Sequence, residues 1–392
     1  MRVSMKILHI CVTGPYTDNL NYQENLITKY QVKAGNEVFL IAPQWEWGED
    51  GKVRKTVGDT KYVNADGVSV YRLPIRGDKN VFFRYKIYEH FYDTLEKVLP
   101  DIIFVHNLQF FDVGEIVRYA KSHQVKIFAD NHADFSNSAR SRLAVLFYKI
   151  FWRHMAHVME PYTTRFFGVL PARVDFLMDV YHVPEQKCEL LVMGADDEAV
   201  EVASEPAVKK NIRDRYHVGE QDFLIVTGGK IDSFKTQTLL LMEAVKQIDE
   251  EGELKQTVKL LIFGSIDDTI REEFDALCDD KTIQYIGWAK GIQPYEFFGA
   301  ADLVVFPGRH SVYWEQVVAQ GIPMLCKYWD GTTHVDIGGN VHFLQEDSVE
   351  LMKREIANLI QNPGAYEAMK RAAMCEKRRD FLYSQIAAKA LL

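Results

Sequence analysis

Residues 223–250 read FLIVTGGKIDSFKTQTLLLMEAVKQIDE, and this stretch decides the fold. Phe223–Thr227 is a continuous apolar run rich in β-branched residues. Such a run is the mark of a strand buried on both faces of a parallel sheet. Gly228 and Gly229 punctuate it, and Gln237–Glu250 carries the pattern of an amphipathic helix. Strand, glycine turn and helix in this order make half of a βαβ unit.

The same rhythm extends in both directions. Downstream, strands are expected at Val258–Phe263, Ile283–Ile286, Leu303–Phe306, Pro323–Cys326 and His342–Leu344, with an amphipathic stretch at Ile270–Cys278. Upstream they are expected at Lys6–Val12, Glu37–Ala42, Val68–Leu73, Ile102–His106, Lys126–Asp130, Phe166–Leu170 and Leu190–Met193. Val68–Leu73 alternates more than the others and reads as an edge hairpin. Gly194–Asn211 is rich in small and charged residues, contains Pro206, and reads as a linker. The α/β class follows, with two tandem Rossmann-like doubly wound domains, about 1–200 and 205–374. A chain of 392 residues is long enough for two cores. Ligands of open parallel sheets bind beyond the carboxyl ends of the strands, so two facing domains would leave a cleft there.

Composition excludes other classes. Acids outnumber bases by 55 to 46, for a net charge of −9, which opposes nucleic-acid binding. Five widely spaced cysteines suggest neither a disulfide framework nor a zinc site, and fit a reducing compartment. No apolar run approaches the ~18 residues of a spanning helix. The run Ile7–Val12 has strand length and no cleavage pattern behind it, so no signal peptide is expected. A cytoplasmic protein is the expectation.

Candidate site residues follow strands. In Thr227-Gly-Gly-Lys230-Ile-Asp-Ser-Phe-Lys235, two glycines admit close backbone approach and two lysines can converge on one anion. A helix starting near Thr236 would add its amides and dipole. By itself the motif also fits a tight turn with solvated lysines. In Phe306-Pro-Gly-Arg-His310-Ser311-Val312-Tyr-Trp-Glu315, a helix starting near Ser311 places Glu315 one turn inside, where a carboxylate suits a vicinal diol or complements the dipole. His132, in Asp130-Asn-His-Ala-Asp134, follows a strand, with Asp130 and Asp134 placed to orient it. Gly14, in Thr13-Gly14-Pro-Tyr-Thr-Asp18, marks the first turn and lacks the GxGxxG pattern. Residues 142–154 form a bulky apolar helix flanked by cations. It reads either as a core helix with snorkelling cations or as a docking element for a membrane surface or lipid-linked substrate.

Taken in order along essentially the whole chain, these motifs resemble the retaining glycosyltransferases of the GT-B fold, the large GT4-like family. That family's Gly-Arg-x4-Lys clamp appears as Gly229-Lys230-x4-Lys235, its Glu-Ala-Met-Ala-x-Gly-x-Pro helix as Glu315-Gln-Val-Val-Ala-Gln-Gly321-Ile-Pro323, and its Gly-Val-Asp as Gly194-Ala195-Asp196. A second Glu usual eight positions upstream of Glu315 is replaced by Pro307, and Arg309 and His310 stand in the shortened loop. The resemblance implies an acceptor-binding first domain, a donor-binding second domain and a last helix, about 375–392, returning to the first domain. It implies transfer from a nucleotide-sugar, a UDP-sugar, to a glycan or lipid-linked acceptor in cell-surface polysaccharide or glycoconjugate synthesis. No cofactor or metal is expected.

Residue roles follow from the resemblance. Gly14, Gly229, Lys230, Lys235, Ser311 and Val312 would meet the donor phosphates, with Lys235 also catalytic. Glu315 and Trp288 would hold ribose and base, Arg309 and His310 the donor sugar, and His132 would act near the reacting carbon. Peripheral contact with the inner membrane face through 142–154 is a further expectation. A non-catalytic sugar- or nucleotide-binding scaffold and a GT-B sugar-nucleotide epimerase are the rival readings.

Overall fold

A computed structural model describes residues 4–48, 52–76, 86–232 and 236–392. Lys235 therefore lies outside the described residues. The chain divides into one unit comprising Met1–Met193 with Tyr383–Leu392, and a second comprising Gly194–Leu382.

The first unit contains β1 (Lys6–Ile10), β2 (Glu37–Pro43), β3 (Trp45–Trp47), β4 (Val53–Lys55), β5 (Lys61–Val63), β6 (Ser69–Leu73), β7 (Ile102–His106), β8 (Lys126–Asn131), β9 (Thr163–Gly168) and β10 (Cys188–Leu190). Eight of them form one sheet in the order β10-β9-β8-β7-β1-β2-β6-β5. All neighbours in it are parallel except β5 and β6. The hairpin read at Val68–Leu73 is this β5–β6 pair, with the short β5 at the edge and β6 one strand inside. β3 and β4 make a separate antiparallel pair that the sequence pattern did not reveal.

Burial on both sheet faces explains the unbroken apolar runs. Leu8, Ile10, Ile103, Val105 and Ile127 enter a core on one face. Their neighbours Ile7, Phe104 and Phe128 pack on the other face against Tyr383, Ile386 and Ala387 of the helix Tyr383–Lys389. The last helix thus completes the first unit. It begins at Tyr383 because the preceding turn stays with the second unit: Arg378 Nη1 donates to Ala319 O at 2.9 Å, and Ala195 N to Phe381 O at 2.9 Å.

The second unit contains β11 (Phe223–Ile231), β12 (Val258–Ile266), β13 (Ile283–Tyr285), β14 (Leu303–Phe306), β15 (Met324–Lys327) and β16 (Val341–Leu344). They form an all-parallel sheet in the order β13-β12-β11-β14-β15-β16. The stretch read as a linker is helical instead, over Asp197–Ala203 and Pro206–Arg215. Asp196 caps the first helix by accepting from Glu198 N at 3.1 Å, and Pro206 opens the second.

β11 runs nine residues, four beyond the expected end at Thr227, because β12 extends beside it. Glycine makes that extension possible. A Cβ on Gly228 would lie 2.5 Å from the Phe263 ring. One on Gly264, at φ +124°, would overlap the Gly229 carbonyl. These glycines answer first to strand packing. Gly264→Ala should therefore destabilise the second unit by about 3 kcal/mol or more, since it combines a steric clash with a disfavoured backbone. Urea unfolding followed by tryptophan fluorescence checks this, and a loss below about 1 kcal/mol would contradict it.

Candidate functional site

Each sheet has a topological switch point, where ligands of doubly wound folds bind. In the second unit it lies between β11 and β14, whose order reverses about that pair. Gly229, at φ +122°, sits there, and a Cβ on it would stand 3.6 Å from the ring of Tyr313. Tyr313 is the first residue of the helix Tyr313–Gln320. The glycine strand and the helix N-terminus after β14 are thereby held together, with Ser311 and Val312 at the entry to the helix. Lys230, the penultimate residue of this strand, has its side chain 72% exposed and 3.4 Å from Asp232 Oδ2. Trp288, past the end of β13, is exposed.

Glu315 has no solvent-accessible surface. Its Oε1 accepts from His310 Nε2 and from His334 Nε2, each at 2.8 Å. Burial pushes the Glu315 carboxyl up, but the two histidines outweigh it and hold it down at about 2. Glu315 Oε2 and His334 Nδ1 are buried with no hydrogen-bond partner among the described residues. Of the two carboxylate oxygens, only Oε1 is hydrogen-bonded. Arg309 is exposed, whereas His310 turns inward against Trp314, ring centroids 5.0 Å apart.

The ligand atoms of His310, Glu315 and His334 lie within 4.8 Å of one another and can hold a metal ion. A cation there would displace both protons now shared with Oε1. It would also find the His334 ring without the outer acceptor that usually fixes a ligating imidazole.

In the first unit the switch point lies between β1 and β7. Gly14 follows β1, and a Cβ on it would meet nothing within 4 Å. Lys86 Nζ donates to Thr13 O beside it at 2.6 Å, and burial lowers that ammonium to about 8. His132 follows β8 with Nε2 3.4 Å from Asp130 Oδ2. Asp134 does not orient it: its carboxylate accepts from Ser136 and from Arg173 Nε, which fixes a turn instead.

Asn107, at φ +66° after β7, joins the strand ends. Its N–H donates to Asp130 Oδ1 at 2.9 Å, and its Oδ1 accepts from His132 N at 2.9 Å. Behind Asp130 runs a buried polar chain. Gln31 Nε2 faces Ala387 O at 3.4 Å, which turns Oε1 toward His9 Nε2, 2.6 Å away. With the amide assigned this way, His9 donates to Gln31 and accepts from His106 Nε2 at 3.0 Å, while His106 Nδ1 donates to Asp130 Oδ2 at 2.9 Å. Burial, with the charge of His106, lowers His9 to about 3, which suits a neutral acceptor. Asp130 is held below the usual carboxylate range: burial raises it, and the charges of His132 and His106 more than offset this.

His9, His106, Asn107, Lys86 and His334 escaped the sequence reading. The available signal was a histidine in each of two largely apolar strands, within β1 and at the end of β7. Nothing local marked Lys86 or His334.

The depressed Glu315 carboxyl has a pH consequence. Its folded pKa lies below its ordinary 4.5. Its contribution to stability is therefore complete above about 4.5 and is lost as pH falls toward 2, in total roughly 3 kcal/mol. Glu315→Gln should be less stable than wild type at neutral pH, and the difference should shrink on acidification. Urea midpoints across that range check it, and a pH-independent difference would remove the charged pairing.

No protein-family model and no curated protein matches the sequence. Solved structures do match. A glycosyltransferase from Rickettsia africae ESF-5 superposes with a TM-score of 0.67 at 15% identity, covering 99% of this chain and 97% of that one. Anabaena HepE, in complex with UDP and glucose, gives 0.65 at 11%, covering 98% of each. A UDP-GlcNAc 2-epimerase from Neisseria meningitidis bound to UDP-GlcNAc gives 0.60 at 13%, covering 99% of each. With two parallel-sheet units matched over nearly its whole length, the chain has the two-domain GT-B fold.

Proposed function

We propose that this protein is a metal-independent glycosyltransferase. It would move a sugar from a UDP-sugar to a glycan or lipid-linked acceptor, with retention, in cell-surface glycan synthesis. The donor belongs to the second unit and the acceptor to the first. One observation carries the reading: Gly229, Lys230, the N-terminus of the helix Tyr313–Gln320 and Glu315 gather at the β11/β14 switch point. The fold neighbour HepE, in complex with UDP and glucose, supports it.

Departure of a nucleoside diphosphate concentrates negative charge on its phosphates. Preorganised donors that meet this charge lower the barrier. Lys230, Lys235 and the amides near Ser311 and Val312 would supply them. Lys in place of Arg at position 230 keeps the charge without a bidentate fork. Glu315 Oε2 would accept a ribose hydroxyl, Trp288 would stack on the base, and Arg309 would face the donor sugar, with His310 behind it on Glu315 rather than on the sugar. His132, held by Asn107 and Asp130, would contact a sugar hydroxyl near the reacting carbon.

Lys230→Ala and Lys235→Ala should each cost roughly 10- to 100-fold in kcat/KM for the donor, the loss of one charge-assisted contact. Unchanged donor affinity and turnover in both variants would refute the phosphate assignment. Chelation by EDTA should leave activity intact. Activity that vanishes with EDTA and returns with Mg²⁺ or Mn²⁺ would instead point to the His310–Glu315–His334 cluster.

A second reading is favoured by the epimerase neighbour, which shares the fold. Incubating a panel of nucleotide-sugars without acceptor separates the readings. A transferase leaves the sugar configuration intact and hydrolyses the donor slowly. An epimerase returns an isomerised nucleotide-sugar. A binding scaffold shifts the melting temperature with neither product.

A further inference from the structure

The helical run Arg142–Met159 is apolar on two faces, and the protein covers only one. Ser141 caps it by accepting from Ala144 N at 3.1 Å, and a π-helical turn, Tyr148–Trp152, interrupts it. The inner face packs into the core of the first unit through Val145, Tyr148, Trp152, Ala156 and Met159. The outer face consists of Leu143, Leu146, Phe147, Ile150 and Phe151. All five are exposed, Leu143 by 80% and Ile150 by 53%. Their spacing of three, four, seven and eight residues is that of one continuous helix stripe. Contiguous exposed apolar surface of this kind marks an interaction site. The reading of 142–154 as a buried core helix thus holds for the inner stripe and fails for the outer one.

The surrounding charge says what covers it. From Phe135 to Met159 the chain contains no Asp or Glu but carries Arg140, Arg142, Lys149 and Arg153, within a protein whose net charge is −9. Arg153 is half-buried and donates Nε to Val180 O at 2.7 Å. Arg140, Arg142 and Lys149 are exposed. An apolar stripe bordered by exposed cations fits a bilayer surface, where side chains enter the acyl boundary and cations meet phosphate headgroups. A two-fold contact with a second copy would bring the same cations face to face, which is unfavourable.

We propose that the outer face of Arg142–Met159 is a docking surface for an anionic lipid bilayer. The inference goes beyond the sugar-transfer reading and does not rest on it, because the readout is lipid binding rather than activity. Full-length protein is sedimented with phosphatidylcholine vesicles, with and without phosphatidylglycerol, at low and high salt. The wild type should partition onto the phosphatidylglycerol vesicles, and salt should weaken it. Leu143→Glu with Ile150→Glu should abolish binding. Arg142→Gln with Lys149→Gln should weaken it by roughly 25-fold, about fivefold per cation. All four positions are exposed, so thermal melts should match wild type. Wild type that stays in the supernatant with anionic vesicles overturns the proposal, as does either variant pair binding like wild type. So does a lipid-free dimer that Leu143→Glu with Ile150→Glu dissociates, since a second copy would then be the occupant.

Discussion

A carboxylate without solvent contact must find its compensation inside the protein, and the second unit is organised around one. Glu315 is reached by His310 from the loop after β14 and by His334 from the turn after β15. Losing water would raise the carboxyl's pKa, so the charge persists only because two N–H donors converge on one oxygen. This convergence fixes the loop 307–312 against the helix that follows it. That helix and the glycine strand β11 meet through Gly229 and Tyr313. The geometry at the switch point therefore depends on a hydrogen-bonded cluster that neither loop could hold alone.

The first unit solves a similar problem with a longer chain of contacts. Asp130 is buried at the end of β8 and is compensated by His106 from the adjacent strand and by His132 from its own loop. His106 in turn rests on His9 of β1, which reaches Gln31 and, through it, the backbone of the last helix. Polar groups this deep are tolerated because nearly every one is paired. The outcome is that Asn107 and His132 are presented from strand ends whose positions are set by the sheet interior. A rigid scaffold carrying a few polar groups at its rim is the usual basis for holding a ligand in one orientation.

Surface and site are independent features here. The stripe Leu143–Phe151 takes no part in either switch point, and its cations are distinct from Lys230. No helix among the described residues is long and apolar enough to cross a membrane.

The sequence determined the architecture because strands buried on both faces must be apolar throughout. Ile102–Val105 and Leu303–Phe306 carry that signature in any surroundings, and glycines after strands mark where the chain turns. It also singled out Gly229, Lys230 and Glu315, since each lies just past an expected strand end, although β11 in fact runs on through Gly229 and Lys230. Tertiary structure alone decided their surroundings. His334 lies 19 residues beyond Glu315, and His9 lies 97 from His106, so no local pattern links them. The residues after Gly194 looked like a linker because their helices bury little more than Ala203 and Ile212, too few contacts to leave a periodic signal. The helix Arg142–Met159 shows the limit most plainly. Both its faces are apolar, so periodicity marks it as a helix but cannot say which side is covered; only packing against the sheet decides that.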